Sequence, residues 1–369
     1  MKVFKAIISG GGTGGHIFPA LAIANEIKDK RPDAEILFVG AMGRMEMEKV
    51  PESGYDIVGL DVVGIQRSIS ISSVIKNLKF PFLLLKSLKR AKSIVRGFNP
   101  DIVIGVGGYA SGPTLRMANK LGIPTLIQEQ NSYAGLTNKW LSNKALKICV
   151  AYQNMDRFFN KEKIIETGNP VRKDIVNIES KREEALAYFG IEKNEKVILV
   201  LGGSLGAKSI NEGILKNLNL LKGKPVRLLW QVGKRYVDSV EKSFDTKSFS
   251  NISTMAFIKR MDLAYCVSDV VISRAGALSI SEITLVGKAS ILIPSPNVSE
   301  DHQTKNAMAL VKNNAAILVD DNNTDDVLKE AIKLLDDSKL CNSIAVNAKK
   351  LGKPNATQDI VNEVFKLTN

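Results

Sequence analysis

Residues 3–8 form a strand-like run that breaks into a polar, glycine-rich turn, and an apolar amphipathic stretch over 17–27 follows at once. That succession predicts strand, loop, helix. It returns half a chain later, as an apolar run at 197–201, the turn Gly202-Gly203-Ser204-Leu205-Gly206-Ala207 and a helix-like stretch at 209–218. Each half carries a later unit of the same kind. Residues 101–106 lead into Gly107-Gly108-Tyr109-Ala110-Ser111-Gly112, and residues 269–273 lead into Arg274-Ala275-Gly276-Ala277. Continuous apolar strands are buried on both faces, which means parallel sheets covered by helices. Alternation of strand and helix places the chain in the doubly wound α/β class.

A length of 369 residues suits two domains better than one core. The expected architecture is two Rossmann-like, doubly wound parallel-sheet domains facing across a cleft, with ligands at the carboxyl ends of the strands. The strand-like stretch 163–166 meets a turn at Gly168-Asn169-Pro170, which puts the domains at 1–168 and 169–353. A last helix, 357–367, follows Pro354 and is expected to carry residues 354–369 back to the first domain.

The first turn, Ser9-Gly10-Gly11-Gly12-Thr13-Gly14-Gly15-His16, has five glycines in six positions. Bare backbone N–H groups and a helix N-terminus then point at one place, which suits a phosphate or diphosphate. His16, one of two histidines in the chain, sits on its rim. A dehydrogenase reading meets trouble, because Gly10, Gly12 and Gly15 fit its glycine spacing but the next strand, 36–39, ends in Gly40-Ala41-Met42 without an acid for a ribose. A kinase-type phosphate loop is absent, since no Gly-Lys-Ser/Thr follows either turn.

The second half offers Glu282, in Ala277-Leu278-Ser279-Ile280-Ser281-Glu282, at the start of a helix. Its carboxylate can accept from both ribose hydroxyls while the helix amides take phosphate; the plainer alternative is an acid that satisfies the helix dipole. Asp301-His302-Gln303-Thr304-Lys305-Asn306 reads either as a binder of sugar hydroxyls or as a solvated helix cap. In the first half, Gln128-Glu129-Gln130-Asn131 follows the apolar strand 124–127, where polar residues point to a site. Arg172 can neutralise a diphosphate. No Asp-x-Asp motif is present to bring a divalent metal to a nucleotide sugar, so no metal or cofactor is expected.

Composition adds a setting. Cys149, Cys266 and Cys341 lie far apart, with neither disulfide density nor metal-ligand spacing, and the opening residues do not read as a signal peptide. A reducing cytoplasm is expected. No apolar run is long enough to cross a bilayer; the stretch 80–85 is interrupted by Pro81. The net charge of +13 favours polyanions. Between Asp61 and Asp101 there is no acid, but Arg67, Lys76, Lys79, Lys86, Lys89, Arg90, Lys92 and Arg96 alternate with bulky aliphatic residues. A nucleic-acid surface would carry fewer aliphatics and more stacking aromatics, so an anionic membrane surface is the better partner. Ile75, Leu78, Lys79, Phe82, Lys86 and Lys89 are the expected lipid contacts; the plain alternative is a helix with one buried face and solvated lysines.

Taken together, Gly11-Gly12-Thr13-Gly14-Gly15-His16, Gly107-Gly108-Tyr109, Glu129-Gln130-Asn131, Gly168-Asn169-Pro170-Val171-Arg172, Gly202-Gly203-Ser204, Arg274-Ala275-Gly276-Ala277 and Asp301-His302-Gln303 resemble, in order, the MurG family. These are bacterial N-acetylglucosaminyltransferases of glycosyltransferase family 28 that complete the lipid-linked peptidoglycan precursor. The resemblance implies a two-domain GT-B fold and an inverting, metal-independent transfer from UDP-N-acetylglucosamine to undecaprenyl-diphospho-N-acetylmuramoyl-pentapeptide. It implies work at the cytoplasmic face of the inner membrane, with no nucleic acid. Donor contacts carried over by motif are Thr13, Gly14, Gly15, Asn131, Arg172, Ser204, Ile258, Ala277, Leu278, Ser279, Ile280, Ser281, Glu282 and Gln303, with Tyr109 as a further substrate contact. Glu282 would hold the ribose and the Ile258 backbone would read uracil. The base that takes the acceptor proton is His16 or Glu129. Rival readings are another lipid-directed transferase of the same fold, a non-catalytic nucleotide-sugar binder and a nucleic-acid binder.

Overall fold

The structure, a computed structural model, describes residues 2–62, 71–203, 205–245 and 247–368, with residues 71–80 and 299 described in backbone alone. It divides into two compact units, Met1–Arg172 with Asn355–Asn369, and Lys173–Pro354.

The first unit holds seven parallel strands: β1 (Lys5–Ser9), β2 (Glu35–Ala41), β3 (Asp56–Leu60), β4 (Ile102–Gly105), β5 (Thr125–Glu129), β6 (Lys147–Val150) and β7 (Ile164–Glu166), in the order β3-β2-β1-β4-β5-β6-β7. Both faces of these strands are apolar, and alternate residues serve opposite faces. Ala6, Ile8, Ile102, Ile104 and Leu126 pack with Ile23 and Ile27 of helix Gly14–Lys30, and with Ile360, Val361 and Val364 of the last helix, Ala356–Lys366. Ile7, Val103 and Ile127 face the other way, toward Ala91 and Val95 of helix Ile71–Phe98 and Leu115 of helix Ser111–Lys120. The periodicity of two within each strand is what winds helices onto both faces.

The second unit holds β8 (Lys196–Leu201), β9 (Val226–Gln231), β10 (Ile252–Met255), β11 (Val270–Arg274), β12 (Ala289–Ile293) and β13 (Ile317–Leu318), all parallel, in the order β10-β9-β8-β11-β12-β13. Its core includes Trp230, fully buried, whose indole N–H donates to Asn211 Oδ1 at 3.1 Å. The doubly wound α/β class expected from the pattern is thus what forms in each unit.

In both sheets the strand order reverses beside the first strand, at β1/β4 and at β8/β11. Connections leave in opposite directions there, which opens a crevice at the carboxyl ends. Both glycine turns lead out of those reversal strands, so topology alone sets them at the binding edge of their sheets. No helix among the described residues is long and apolar enough to cross a membrane.

Candidate functional site

Two loops meet at the β1/β4 crevice. The turn after β1 runs through the glycines to helix Gly14–Lys30, which starts three residues before the amphipathic stretch because Thr13, extended at φ −148°, occupies the N-cap position. The loop after β4 closes on it. Gly108 adopts φ +83°, and a Cβ there would overlap the carbonyl oxygen of Gly11.

His16, in the first turn of its helix, lies beside Gly107. Its Nδ1 is 3.0 Å from the Gly11 carbonyl oxygen and 3.3 Å from Thr13 Oγ1. A carbonyl oxygen only accepts, so Nδ1 carries the proton and Nε2 is the basic nitrogen of the neutral ring. Gly14 and Gly15 supply first-turn N–H groups, which have no partner within a helix. Tyr109 stands largely exposed on the facing loop.

Glu129 has a different environment. The strand expected to end at 127 runs on through Thr125–Glu129, which puts Gln128 and Glu129 inside the sheet rather than beyond it. Glu129 is buried; its Oε1 accepts from the Asn131 backbone N–H at 3.0 Å, and its Oε2 from the Gly135 N–H at 2.9 Å and Asn138 Nδ2 at 2.8 Å. Both oxygens therefore organise the loop that carries Asn131. Gln128 and Gln130 are buried too. Gln128 Nε2 donates to Asn169 Oδ1 at 2.9 Å, Asn169 Nδ2 to the Gln130 carbonyl at 3.0 Å, and Gln130 Nε2 to the Val106 carbonyl at 2.7 Å. This amide network joins the loops after β4 and β5 to the segment leading to Arg172. In this polar cluster the side chains of Gln128, Glu129 and Gln130 are thus bonded to backbone and amide groups of the neighbouring loops.

In the second unit, Ser204 lies outside the described residues. Ile258 is buried, and its backbone N–H donates to Gln231 Oε1 at 2.9 Å, while Gln231 Nε2 donates to the Gly203 carbonyl at 3.2 Å. Gln231 thus links the glycine turn to the segment bearing Ile258. Helix Ala277–Val286 starts at the β11 end of the crevice. Ala277 and Ile280 turn their side chains inward, so they offer a ligand only backbone, whereas Leu278, Ser279, Ser281 and Glu282 are half-buried. The hydroxyl of fully buried Tyr265 donates to Glu282 Oε2 at 3.1 Å and orients that carboxylate. Gln303 Oε1 accepts from the Ser295 N–H at 2.9 Å. Glu300 and Asp301 both adopt left-handed backbone, φ +61° and +50°, just before helix His302–Val311. Two successive non-glycine residues held there store strain of the kind found at ligand clamps. Asp301 accepts from the Thr304 hydroxyl at 2.6 Å rather than from a backbone N–H.

Four residues that sequence reasoning did not assign have structural partners at these crevices: Glu46, Gln231, Tyr265 and Arg274. Arg274 Nη1 pairs with Asp321 at 2.5 Å and its Nη2 meets Ser209 Oγ at 2.9 Å, tying the end of β11 to helix Lys208–Lys216. Nearby in sequence to Ile258, Arg260 first and then Lys181 hold the buried Asp262 carboxyl well below the usual carboxylate range, against the opposing effect of burial. No run or spacing marks Gln231, Tyr265 or Arg274, because each draws its partner from another element.

Of the lipid contacts expected on helix Ile71–Phe98, the side chains of Ile75, Leu78 and Lys79 lie outside the described residues. Phe82 and Leu85 are 72% and 60% exposed, with Lys86 and Lys89 exposed beside them. Lys86 also pairs with Asp61 at 2.8 Å.

Residues 6–150 match the N-terminal domain and residues 197–364 the C-terminal domain of glycosyltransferase family 28. The chain is 53% identical over its whole length to the UDP-N-acetylglucosamine--N-acetylmuramyl-(pentapeptide) pyrophosphoryl-undecaprenol N-acetylglucosamine transferase of Flavobacterium psychrophilum, covering 98% of that protein. It is 52% identical to the protein of the same name from Parabacteroides distasonis, covering 99% of it. Among solved structures, it resembles MurG of Acinetobacter baumannii with a TM-score of 0.76 and 32% identity, over 98% of this chain and 99% of that one.

Proposed function

The chain belongs to glycosyltransferase family 28, with the GT-B fold, and from that premise we propose the reaction its relatives are named for. It transfers N-acetylglucosamine from UDP-N-acetylglucosamine to the C4 hydroxyl of undecaprenyl-diphospho-N-acetylmuramoyl-pentapeptide (lipid I), giving lipid II for peptidoglycan synthesis. The acceptor oxygen attacks the anomeric carbon on the face opposite the phosphate. The new C1–O4 bond forms as the bond from C1 to the phosphate oxygen breaks, UDP leaves with the electron pair, and the configuration inverts.

The hydroxyl proton goes to His16 Nε2. One observation carries this assignment. His16 Nδ1 is engaged by the Gly11 carbonyl, which accepts, so Nε2 is the nitrogen that carries the lone pair of the neutral ring. Thr13, Gly14 and Gly15 meet diphosphate through the turn, with Asn131 and Tyr109 as further substrate contacts. Glu282, oriented by Tyr265, holds the ribose. The Ile258 N–H already donates to Gln231, so its carbonyl is the group that meets uracil. Charge on the departing diphosphate falls to helix N-terminal N–H groups and Arg172, without a metal.

The acceptor's polyprenyl tail lies in a membrane, so the enzyme works at the cytoplasmic face of the inner membrane through helix Ile71–Phe98. Labelled UDP-N-acetylglucosamine offered with a short-chain lipid I analogue or with diacylglycerol tests the reading. Transfer to the first alone is expected. His16→Ala should lower kcat on the order of 1,000-fold while UDP-N-acetylglucosamine still binds. Turnover with diacylglycerol, or none with lipid I, would overturn the assignment.

A further inference from the structure

The turn after β1 holds a buried carboxyl group beside the glycines in which the sequence suggested a phosphate cradle. Glu46, in the first turn of helix Glu46–Glu52, is 1% exposed. Its Oε2 accepts from the Gly12 N–H at 2.8 Å and its Oε1 from the Ala41 N–H at 2.9 Å. One carboxylate therefore fastens the glycine turn to the end of β2. Room for it exists because Gly11, at φ +149°, has no Cβ; one there would overlap the carboxylate. A carboxylate so deeply buried is tolerated only because charge-assisted bonds from backbone N–H groups replace its water.

The Gly12 N–H and the Gly11 carbonyl belong to the same peptide plane and point in opposite directions. Fixing one end aims the other. The N–H end is held by Glu46, and the carbonyl end lies 3.0 Å from His16 Nδ1. Glycines on both sides let this plane rotate at little steric penalty, so its orientation depends on whatever holds it. We infer that Glu46 is a positioning residue for the transfer: by clamping the Gly11–Gly12 peptide it holds His16 in the tautomer whose Nε2 accepts the hydroxyl proton. The inference rests on the assignment of His16 as base, and it makes the buried carboxylate part of the proton-transfer apparatus without contact with substrate.

Nitrogen NMR of the full-length protein labelled in histidine reads the tautomer directly, since only two histidines are present and His16→Ala identifies the signal. Wild type is expected to show the Nδ1–H ring, and Glu46→Gln a shift toward Nε2–H, because one of its groups is a donor that cannot face a backbone N–H. The same variant should lose on the order of 100-fold in kcat with lipid I analogue, keeping the donor KM within about twofold. Placed on His16→Ala, it should add less than about twofold, as two changes in one chain of contacts do. Glu48→Gln, an exposed change on the same helix, is the control and should leave activity unchanged. An Nε2–H ring in wild type, an unchanged tautomer in Glu46→Gln, or losses that multiply with His16→Ala would each overturn the inference. If Glu46→Gln fails to fold, Glu46→Asp takes its place, since the shorter carboxylate cannot reach both N–H groups. Absence of any transfer by wild type would sink the functional reading while the tautomer spectra still decide the role of Glu46.

Discussion

At the scale of single residues, the first crevice is a matter of which atoms have room. Gly108 approaches the Gly11 carbonyl so closely that no side chain fits, and its φ of +83° disfavours any other residue. Gly108→Ala should therefore destabilise the protein by about 2 kcal/mol and, by pushing the Gly11 peptide, lower transfer more than donor binding. Denaturant unfolding and isothermal titration with UDP measure the two effects separately. An alanine variant as stable and as active as wild type would show that the two loops do not touch. The contrast between His16 and Glu129 belongs to the same scale. Both are polar residues at carboxyl ends of strands or just beyond them, yet the first sets its ring by one backbone carbonyl and the second holds a loop through both carboxylate oxygens.

At the scale of elements, helix Ile71–Phe98 combines a face that packs through Ala91 and Val95 with exposed Phe82 and Leu85 among lysines. Each lysine near an anionic surface contributes about 1 kcal/mol, so changing Lys79, Lys86 and Lys89 to glutamate should cut binding to anionic vesicles on the order of 100-fold or more. Vesicle flotation checks this, and an unchanged bound fraction would refute membrane docking by this helix. The segment around Ile258 depends on a different device. Asp262, buried between Arg260 and Lys181, has its acidity raised by those cations. A carboxyl titrating lower in the folded state than in the unfolded chain stabilises fully above its unfolded pKa of about 4, and that contribution fades as the pH falls below it. Asp262→Asn should cost about 2 kcal/mol at neutral pH, with the gap from wild type narrowing between about pH 4 and pH 2. Urea unfolding across that range tests the sign.

At the scale of the whole molecule, the chain completes its first unit with its last helix. Ile360, Val361 and Val364 of Ala356–Lys366 are fully buried against the first sheet, and Thr357 donates to the Val171 carbonyl at 3.4 Å. Ile360→Ala should cost about 3 kcal/mol, all of it in that unit. In calorimetry its transition should fall, while UDP, whose ribose and uracil contacts are assigned to the second unit, should still raise the other transition. A uniform fall of both transitions would argue against that division.

Strand, turn and helix succeed one another in the sequence because burial on both faces and backbone freedom are local properties, legible in runs of apolar residues and clustered glycines. The doubly wound class, the two glycine turns and the candidacy of His16 all came from that local information. What a carboxylate does is not local. Glu46 and Glu48 lie two residues apart on one short helix, and nothing in their neighbourhood tells them apart; one is buried against Gly12 and Ala41, the other exposed. Likewise, only the pairing of β5 with its neighbours turned Glu129 inward. Charge becomes structural or chemical according to which N–H groups the tertiary fold brings within reach; for Glu46 one donor is nearby Ala41, but the other, Gly12, lies 34 residues earlier in the chain and only the fold sets it there.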